Sequence, residues 1–280
     1  MGTAEGELQA AQLGVGADVA AGTAADAAVD VAVDVALVPI LDDNYVFIVH
    51  NGHGAVVVDP GEAAAVISWL EGRQLELVAV LQTHHHQDHI AGTPSLKRRW
   101  PAAAVVASGA DRARIPLQCR SVGEGDVLEL LGRRVEVLEL PGHTRTHLAY
   151  LLPPVAGGRG ELFCGDVLFA GGCGRLCEGT AAEMHRSLQR LAALPDATRV
   201  WCAHEYTLAN LRWAAAVAAA GSAEAAAVAA RLEDVQQQRR RGVCTVPSTI
   251  GLERRSNLFL RATSVEQLAE RRRHKDQWTG

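Results

Sequence analysis

The 280-residue chain has no run of 18 or more apolar residues, so no segment reads as a membrane-spanning helix. It has no basic excess. Its 27 Lys and Arg face 32 Asp and Glu, a net charge of −5, which argues against a nucleic-acid or membrane-surface partner because either needs a basic face. It has no CxxC pair, and its six cysteines are scattered, which predicts free thiols in a reducing, cytoplasmic setting. Residues 1–36 contain no Lys or Arg; they carry Glu5, Glu7, Asp18, Asp26, Asp30 and Asp34 among Ala, Val and Gly. A signal peptide needs a positive start and a transit peptide needs Arg, so this stretch is expected to be a disordered, low-complexity tail. No internal repeat is present, and the Ala-rich stretches read as compositional bias.

What is present is a mixture of strand and helix patterns. The length suggests about two domains. Residues 46–49 and 55–58 are apolar strands flanking a turn at Asn51-Gly52. Residues 77–81 form an apolar run of the buried-strand type, and 104–107, 135–140, 148–152, 161–164 and 199–203 read as further strands. Helical patterns fall at 62–70, 95–100 and 181–194. Residues 208–241 are helical and Ala-rich with a break at Gly221-Ser222, and a polar, Arg-rich helix closes the chain. Interleaved elements of this kind predict an α/β (α+β) fold, with a domain boundary near residue 205.

Eleven histidines are the unusual feature, and they cluster. Thr83-His84-His85-His86-Gln87-Asp88-His89 follows the strand at 77–81. In extended chain, residues two apart point the same way, so His84 and His86 can grip one ion, and Asp88 and His89 can grip something beside it. Chance would place such a motif in a chain of this composition with odds on the order of one in a thousand. His85 is expected to face away. Three later strands each end in a residue of ligand type: His143 after 135–140, Asp166 after 161–164 and His204 after 199–203. Seven groups are too many for one tetrahedral ion and suit two ions sharing a carboxylate. Paired ions of this kind lower the pKa of a bridging water, so metal-assisted hydrolysis is the expected reaction class. Asp59, in Asp-Pro-Gly at a strand end, is the candidate partner for one of the ligand imidazoles, or else a simple turn residue.

The segments Thr-His-His-His-Gln-Asp-His, Gly142-His-Thr-Arg-Thr-His147, Gly165-Asp166, Cys173-Gly-Arg175, Glu178-Gly-Thr180, His204-Glu-Tyr-Thr207 and Pro247-Ser-Thr249, with Asp42-Asp-Asn-Tyr45 near the start, resemble glyoxalase II, the hydroxyacylglutathione hydrolases of the metallo-β-lactamase superfamily. The likeness spans residues 37–280. It implies a metallo-β-lactamase αββα sandwich over 37–204, which holds the catalytic centre, and a C-terminal helical domain over 205–280 that binds glutathione. It assigns His84, His86 and His143 to one metal and Asp88, His89 and His204 to the other, with Asp166 bridging and Asp88 and Asp166 taking part in catalysis. Two divalent ions are implied, zinc foremost, with iron or manganese as alternatives. The implied reaction is hydrolysis of S-D-lactoylglutathione to D-lactate and glutathione, the second step of methylglyoxal detoxification, by a monomer without nucleic-acid or membrane partners.

Arg175, Tyr206 and Arg261 fall on substrate-contacting positions of the resemblance. Four positions depart from it. Cys177 stands where an aromatic is common, Ser264 where a basic residue is common, Leu258 replaces Pro, and Thr146 replaces Gly. Arg271, Arg272, Arg273 and Lys275 are expected to form a solvated face. A hydrolase of another acyl thioester or of a lactone, and a non-catalytic metal-binding module, remain open readings at this stage.

Overall fold

Strands in which every residue is apolar need a partner on both faces, and the first half of the chain is built around that requirement. The structure is a computed structural model and describes residues 31–279. β1 (Asp34–Ile40), β2 (Asn44–His50) and β3 (Gly54–Val58) form an antiparallel meander. Its second turn is closed by Asn51, whose Oδ1 accepts from the backbone N–H groups of His53 and Gly54 at 3.1 and 2.9 Å. α1 (Ala64–Glu71) crosses to β4 (Glu76–Leu81). α2 (Gln87–Ile90) and α3 (Thr93–Arg99) cross to β5 (Ala104–Ser108), and β6 (Arg120–Val122) ends a six-stranded sheet in the order β1-β2-β3-β4-β5-β6. β3 to β6 are mutually parallel, as crossover connections require.

The second sheet takes β7 (Val127–Leu130), β8 (Arg133–Glu139), β9 (Leu148–Leu152) and β10 (Glu161–Gly165) as an antiparallel run. A short hairpin of β11 (Leu168–Phe169) and β12 (Gly172–Cys173) follows, then α4 (Ala181–Ala192) and β13 (Arg199–Cys202), which lies parallel to β10. The remaining elements are α5 (Thr207–Val217), α6 (Ala223–Arg240), β14 (Ser248–Thr249), α7 (Ile250–Ser256) and α8 (Val265–Gln277). β14 pairs with β13, giving the order β14-β13-β10-β9-β8-β7.

Period-two alternation assigns the faces. Phe47, Val49, Val56, Val58, Leu81 and Val106 pack toward the second sheet, where Phe47 meets Phe163 and Trp201 at ring-centroid distances of 5.7 and 5.5 Å. Val46, Ile48, Val57, Val80 and Val105 pack the other way, against Val66 and Leu70 of α1 and Leu96 of α3. The αββα sandwich followed by helices is therefore the fold of this chain. Polar caps set the helix starts: Thr180 and Glu183 form a capping box on α4, and Ser222, Thr249 and Ser264 cap α6, α7 and α8.

The expected tail over 1–36 is too long at its C-terminal end. β1 starts at Asp34 because Val35, Ala36 and Leu37 pair with Val49, Ile48 and Phe47; residues 1–30 lie outside the described residues. The short strands β6, β11, β12 and β14 were not legible as periodic patterns. Two or three residues give no alternation to read.

Candidate metal centre

Four stretches of backbone deliver the seven ligand-type residues to one place. The strand β4 leads through Gln82 and Thr83 into the histidine-rich turn and α2, and β8, β10 and β13 end shortly before His143, Asp166 and His204. Two glycines permit the crowding. A Cβ on Gly61 would lie 1.8 Å from the Asp88 carbonyl oxygen, and one on Gly174 would lie 1.9 Å from that of Asp166.

Two groups of side chains converge. The ligand atoms of His84, His86 and His143 lie within 4.8 Å of one another, as do those of Asp88, His89 and His204. Asp166 stands between the groups. Its Oδ1 is 3.5 Å from His89 Nε2 and 3.4 Å from His204 Nε2, while its Oδ2 is 3.5 Å from His143 Nε2. Asp88 Oδ2 is 3.4 Å from the Nε2 atoms of both His89 and His204. Donor atoms around a tetrahedral zinc with bonds of about 2.0–2.1 Å stand roughly 3.3 Å apart, so these spacings fit a cation between them. The buried atoms His84 Nε2, His89 Nε2 and Asp166 Oδ1 have no hydrogen-bond partner among the described residues, as ligand atoms awaiting an ion would not.

The opposite nitrogen of four of the five imidazoles, all but His86, has a partner that fixes the tautomer. His204 Nδ1 donates to Asp43 Oδ1 at 2.8 Å, and His143 Nδ1 donates to the Arg175 carbonyl at 2.8 Å. His89 Nδ1 meets Asp59 Oδ2 at 3.1 Å. The Thr83 hydroxyl donates to the same oxygen at 2.6 Å, leaving its lone pair for His84 Nδ1 at 3.0 Å. Asp59 thus orients imidazoles in both groups, and it does so from a left-handed backbone (φ 50°), a strained conformation for a residue with a Cβ. His147 stacks on His84 at 4.7 Å and accepts from the Asp166 N–H at 3.1 Å.

Burial, reinforced by the neighbouring imidazoles, holds His84 and His86 below the ordinary histidine range, which keeps both neutral with free lone pairs. Burial alone would raise Asp166, but the charges of His89 and His204 outweigh it and keep this carboxyl ionised. His89 goes the other way: burial lowers it, yet Asp166, Asp59 and Asp88 together pull it up.

The centre forms one side of a cavity of about 600 Å³. Tyr206 and Phe169 line it, with Tyr206 stacked on His204 at 4.6 Å, and Arg175 and Cys177 stand at its edge. Arg261, expected here, is elsewhere. It pairs with Glu224 of α6 at 2.9 Å and donates to the Arg254 carbonyl, because the turn carrying it faces α6. The cations that reach the cavity are Arg175 and, from α8, Arg272 and Lys275. The expected solvated face of the Arg-rich helix is therefore only partly right: Arg273 is exposed, while Arg272 is buried and bonded to the Cys173 carbonyl at 2.9 Å. The signal was available, since Leu268, Arg272 and Lys275 are spaced as one helical face on a core-packed α8. Ser264 caps α8 and is not among the cavity's lining residues. Leu258 is buried, and its carbonyl accepts from Arg271.

Residues 40–204 match the metallo-beta-lactamase superfamily, and residues 205–278 match the hydroxyacylglutathione hydrolase C-terminus. The chain is 54% identical over 245 residues to a hydroxyacylglutathione hydrolase of Parasynechococcus marenigrum, covering 86% of this chain and 96% of that one. The chain belongs to the hydroxyacylglutathione hydrolase family of the metallo-β-lactamase superfamily. A hydroxyacylglutathione hydrolase of a Cyanothece strain is 50% identical over 226 residues, 80% of this chain and 87% of its own length. Among solved structures, ETHE1 from Myxococcus xanthus superposes with a TM-score of 0.61 at 24% identity, covering 85% of this chain and 88% of that one, a likeness of fold. TTHA1623 in a di-iron-bound form superposes with a TM-score of 0.55 at 26% identity, covering 81% and 99%. The match to the metallo-beta-lactamase superfamily and the donor set together point to a divalent metal site. No helix among the described residues is long and apolar enough to cross a membrane.

Proposed function

We propose that this chain hydrolyses S-(2-hydroxyacyl)glutathione thioesters, S-D-lactoylglutathione giving D-lactate and glutathione, at a centre of two divalent cations. One observation carries the reading: a single cavity has on one side two ligand groups sharing Asp166 and on the other the cations Arg175, Arg272 and Lys275. His84, His86 and His143 would hold one ion, Asp88, His89 and His204 the other, and Asp166 both. Zinc is the first candidate, and iron or manganese suit the same donors. When bound, such a pair supplies an acidified water and a Lewis acid for a thioester carbonyl.

The chain's own residues do the rest. Asp59, Asp43 and the Arg175 carbonyl hold imidazole N–H groups so that lone pairs face inward. Tyr206 and Phe169 form an aromatic wall beside His204 that excludes water on that side. Arg272 and Lys275 pair with carboxylates of the thiol carrier, placing the acyl group over the ligands. The departing thiolate is a weak base, so the reaction does not depend on a general acid. In this reading the sandwich over 37–204 carries the metal chemistry, and the helices over 205–280 carry recognition of glutathione.

The test is metal analysis and thioester hydrolysis on the same preparation, with a simple lactone as competing substrate. Two equivalents of metal and selective hydrolysis of S-D-lactoylglutathione are expected. A metal-loaded protein that leaves acyl thiols untouched, or that prefers the lactone, contradicts the proposal.

A further inference from the structure

An ionic cluster outside the cavity touches each of the loops that carry His84, His86 and His143. Its centre is Arg114. One guanidinium nitrogen, Nη1, donates to Glu178 Oε1 at 2.6 Å and to His85 Nε2 at 3.0 Å. Nε donates to Asp111 Oδ1 at 2.8 Å, and Nη2 donates to Thr146 Oγ1 at 3.3 Å. The Thr146 hydroxyl in turn donates to Asp111 Oδ2 at 2.5 Å. His85 is the residue between His84 and His86, and Thr146 lies three residues after His143. The Glu178 N–H donates to the His143 carbonyl at 3.1 Å.

A guanidinium has only donors, so His85 Nε2 must accept and its proton sits on Nδ1, 3.4 Å from Asp111 Oδ2. The Arg114 bond thereby holds one side of the His85 ring, and with it the backbone that aims His84 and His86, while Nδ1 faces Asp111 without a hydrogen bond. The cluster has an exposed and a buried part: the Arg114–Glu178 pair, 39% and 28% exposed, contributes little to stability, whereas the Asp111 carboxylate is buried and depends on Arg114 and Thr146 for partners. Its geometry is that of a clamp, one planar fork gathering acceptors from several segments. The Asp88–His89–His204 group is held by other residues, Asp59, Asp43 and Asn44.

We propose that Arg114 is a positioning residue for one half of the metal centre, setting the spacing of the His84, His86 and His143 nitrogens while leaving the other half unaffected. Thr146, where Gly is usual in the resembling family, adds a hydroxyl to the clamp. The inference rests on the proposed metal-centre reading.

The test isolates each half in the full chain. His204→Ala leaves the first group as the better site, and His86→Ala leaves the second. Cobalt(II) or zinc is titrated into each metal-free background against a chelator, with and without Arg114→Met. Affinity is expected to fall roughly 10–100-fold in the His204→Ala background and to stay unchanged in the His86→Ala background. Because Asp111 is buried, Arg114→Met should lower the melting temperature of the metal-free chain by the same amount in both backgrounds, so only the difference in metal affinity between them reads the positioning role, and Arg114→Lys should recover part of that loss because a point charge replaces a fork. If Arg114→Met does not fold, Glu178→Gln is read the same way. No loss in the first background, or equal loss in both, overturns the inference. A wild-type chain that binds neither ion overturns the reading beneath it as well, and that result is seen without any Arg114 substitution.

Discussion

The two sides of the cavity are built differently. The metal side is delivered by strand ends and short loops, and its imidazoles are locked by buried partners such as Asp59, Thr83 and His147. The opposite side is a helix face: Arg272 and Lys275 project from α8, and Arg175 from a loop is 77% exposed. The metal side should tolerate little change, because most of its ligands are held by buried partners. The helical side should trade affinity in graded steps, because its cations act as separate contacts.

The sharpest way to break this contrast is Asp166→Ala, which removes the carboxylate common to both groups. Activity should fall by at least about 10³-fold, since several kcal/mol of charge stabilisation depend on the bound metal. A smaller loss measured in kcat/KM would show that the two groups work independently. Asp59→Asn comes next. It should weaken metal affinity by roughly 10–100-fold, because imidazoles of both groups lose their orienting oxygen. Equilibrium dialysis against zinc checks this.

On the helical side, Arg272→Met should raise KM for S-D-lactoylglutathione about 10-fold with kcat little changed, the value expected for one charge-assisted contact. Steady-state kinetics separates the two parameters, and a loss confined to kcat would place Arg272 in the chemistry instead. Lys275 allows a pH test. Burial, aided by the nearby charge of Arg272, pushes it down to about 7. Its positive charge is therefore present below that value and lost above it, so KM should rise as pH passes through about 7. Lys275→Met should abolish that rise. Arg261→Ala should have the smallest effect, with KM unchanged, since its guanidinium is committed to Glu224 and the Arg254 carbonyl.

The same contrast explains what could be read in advance. The histidine cluster was legible because ligand chemistry restricts residue type at every position. His143, Asp166 and His204 could be recognised because each follows an apolar strand. The long buried strands could be read from β-branched runs such as Val56-Val57-Val58. His147 was legible as part of the segment Gly142-His-Thr-Arg-Thr-His147 but its role was not, because stacking on one imidazole and accepting one backbone bond are visible only in the fold. Arg272 and Lys275 escaped because a run of four basic residues among five reads as surface until the helix's buried face is known. Arg261 was misplaced for the converse reason: position along the chain gave its neighbourhood, but not which way its turn faces. Arg114 lies outside every recognisable motif, and only the fold brings it to His85 and Glu178.

The sharing of Asp166 between two ligand groups is the central claim, and metal stoichiometry tests it most directly. Metal-free wild type and Asp166→Ala would be titrated with zinc and the bound equivalents counted per chain. The expected result is two tight equivalents for the wild type and none of comparable affinity for the variant. One equivalent in the wild type, or two retained by Asp166→Ala, would contradict the account.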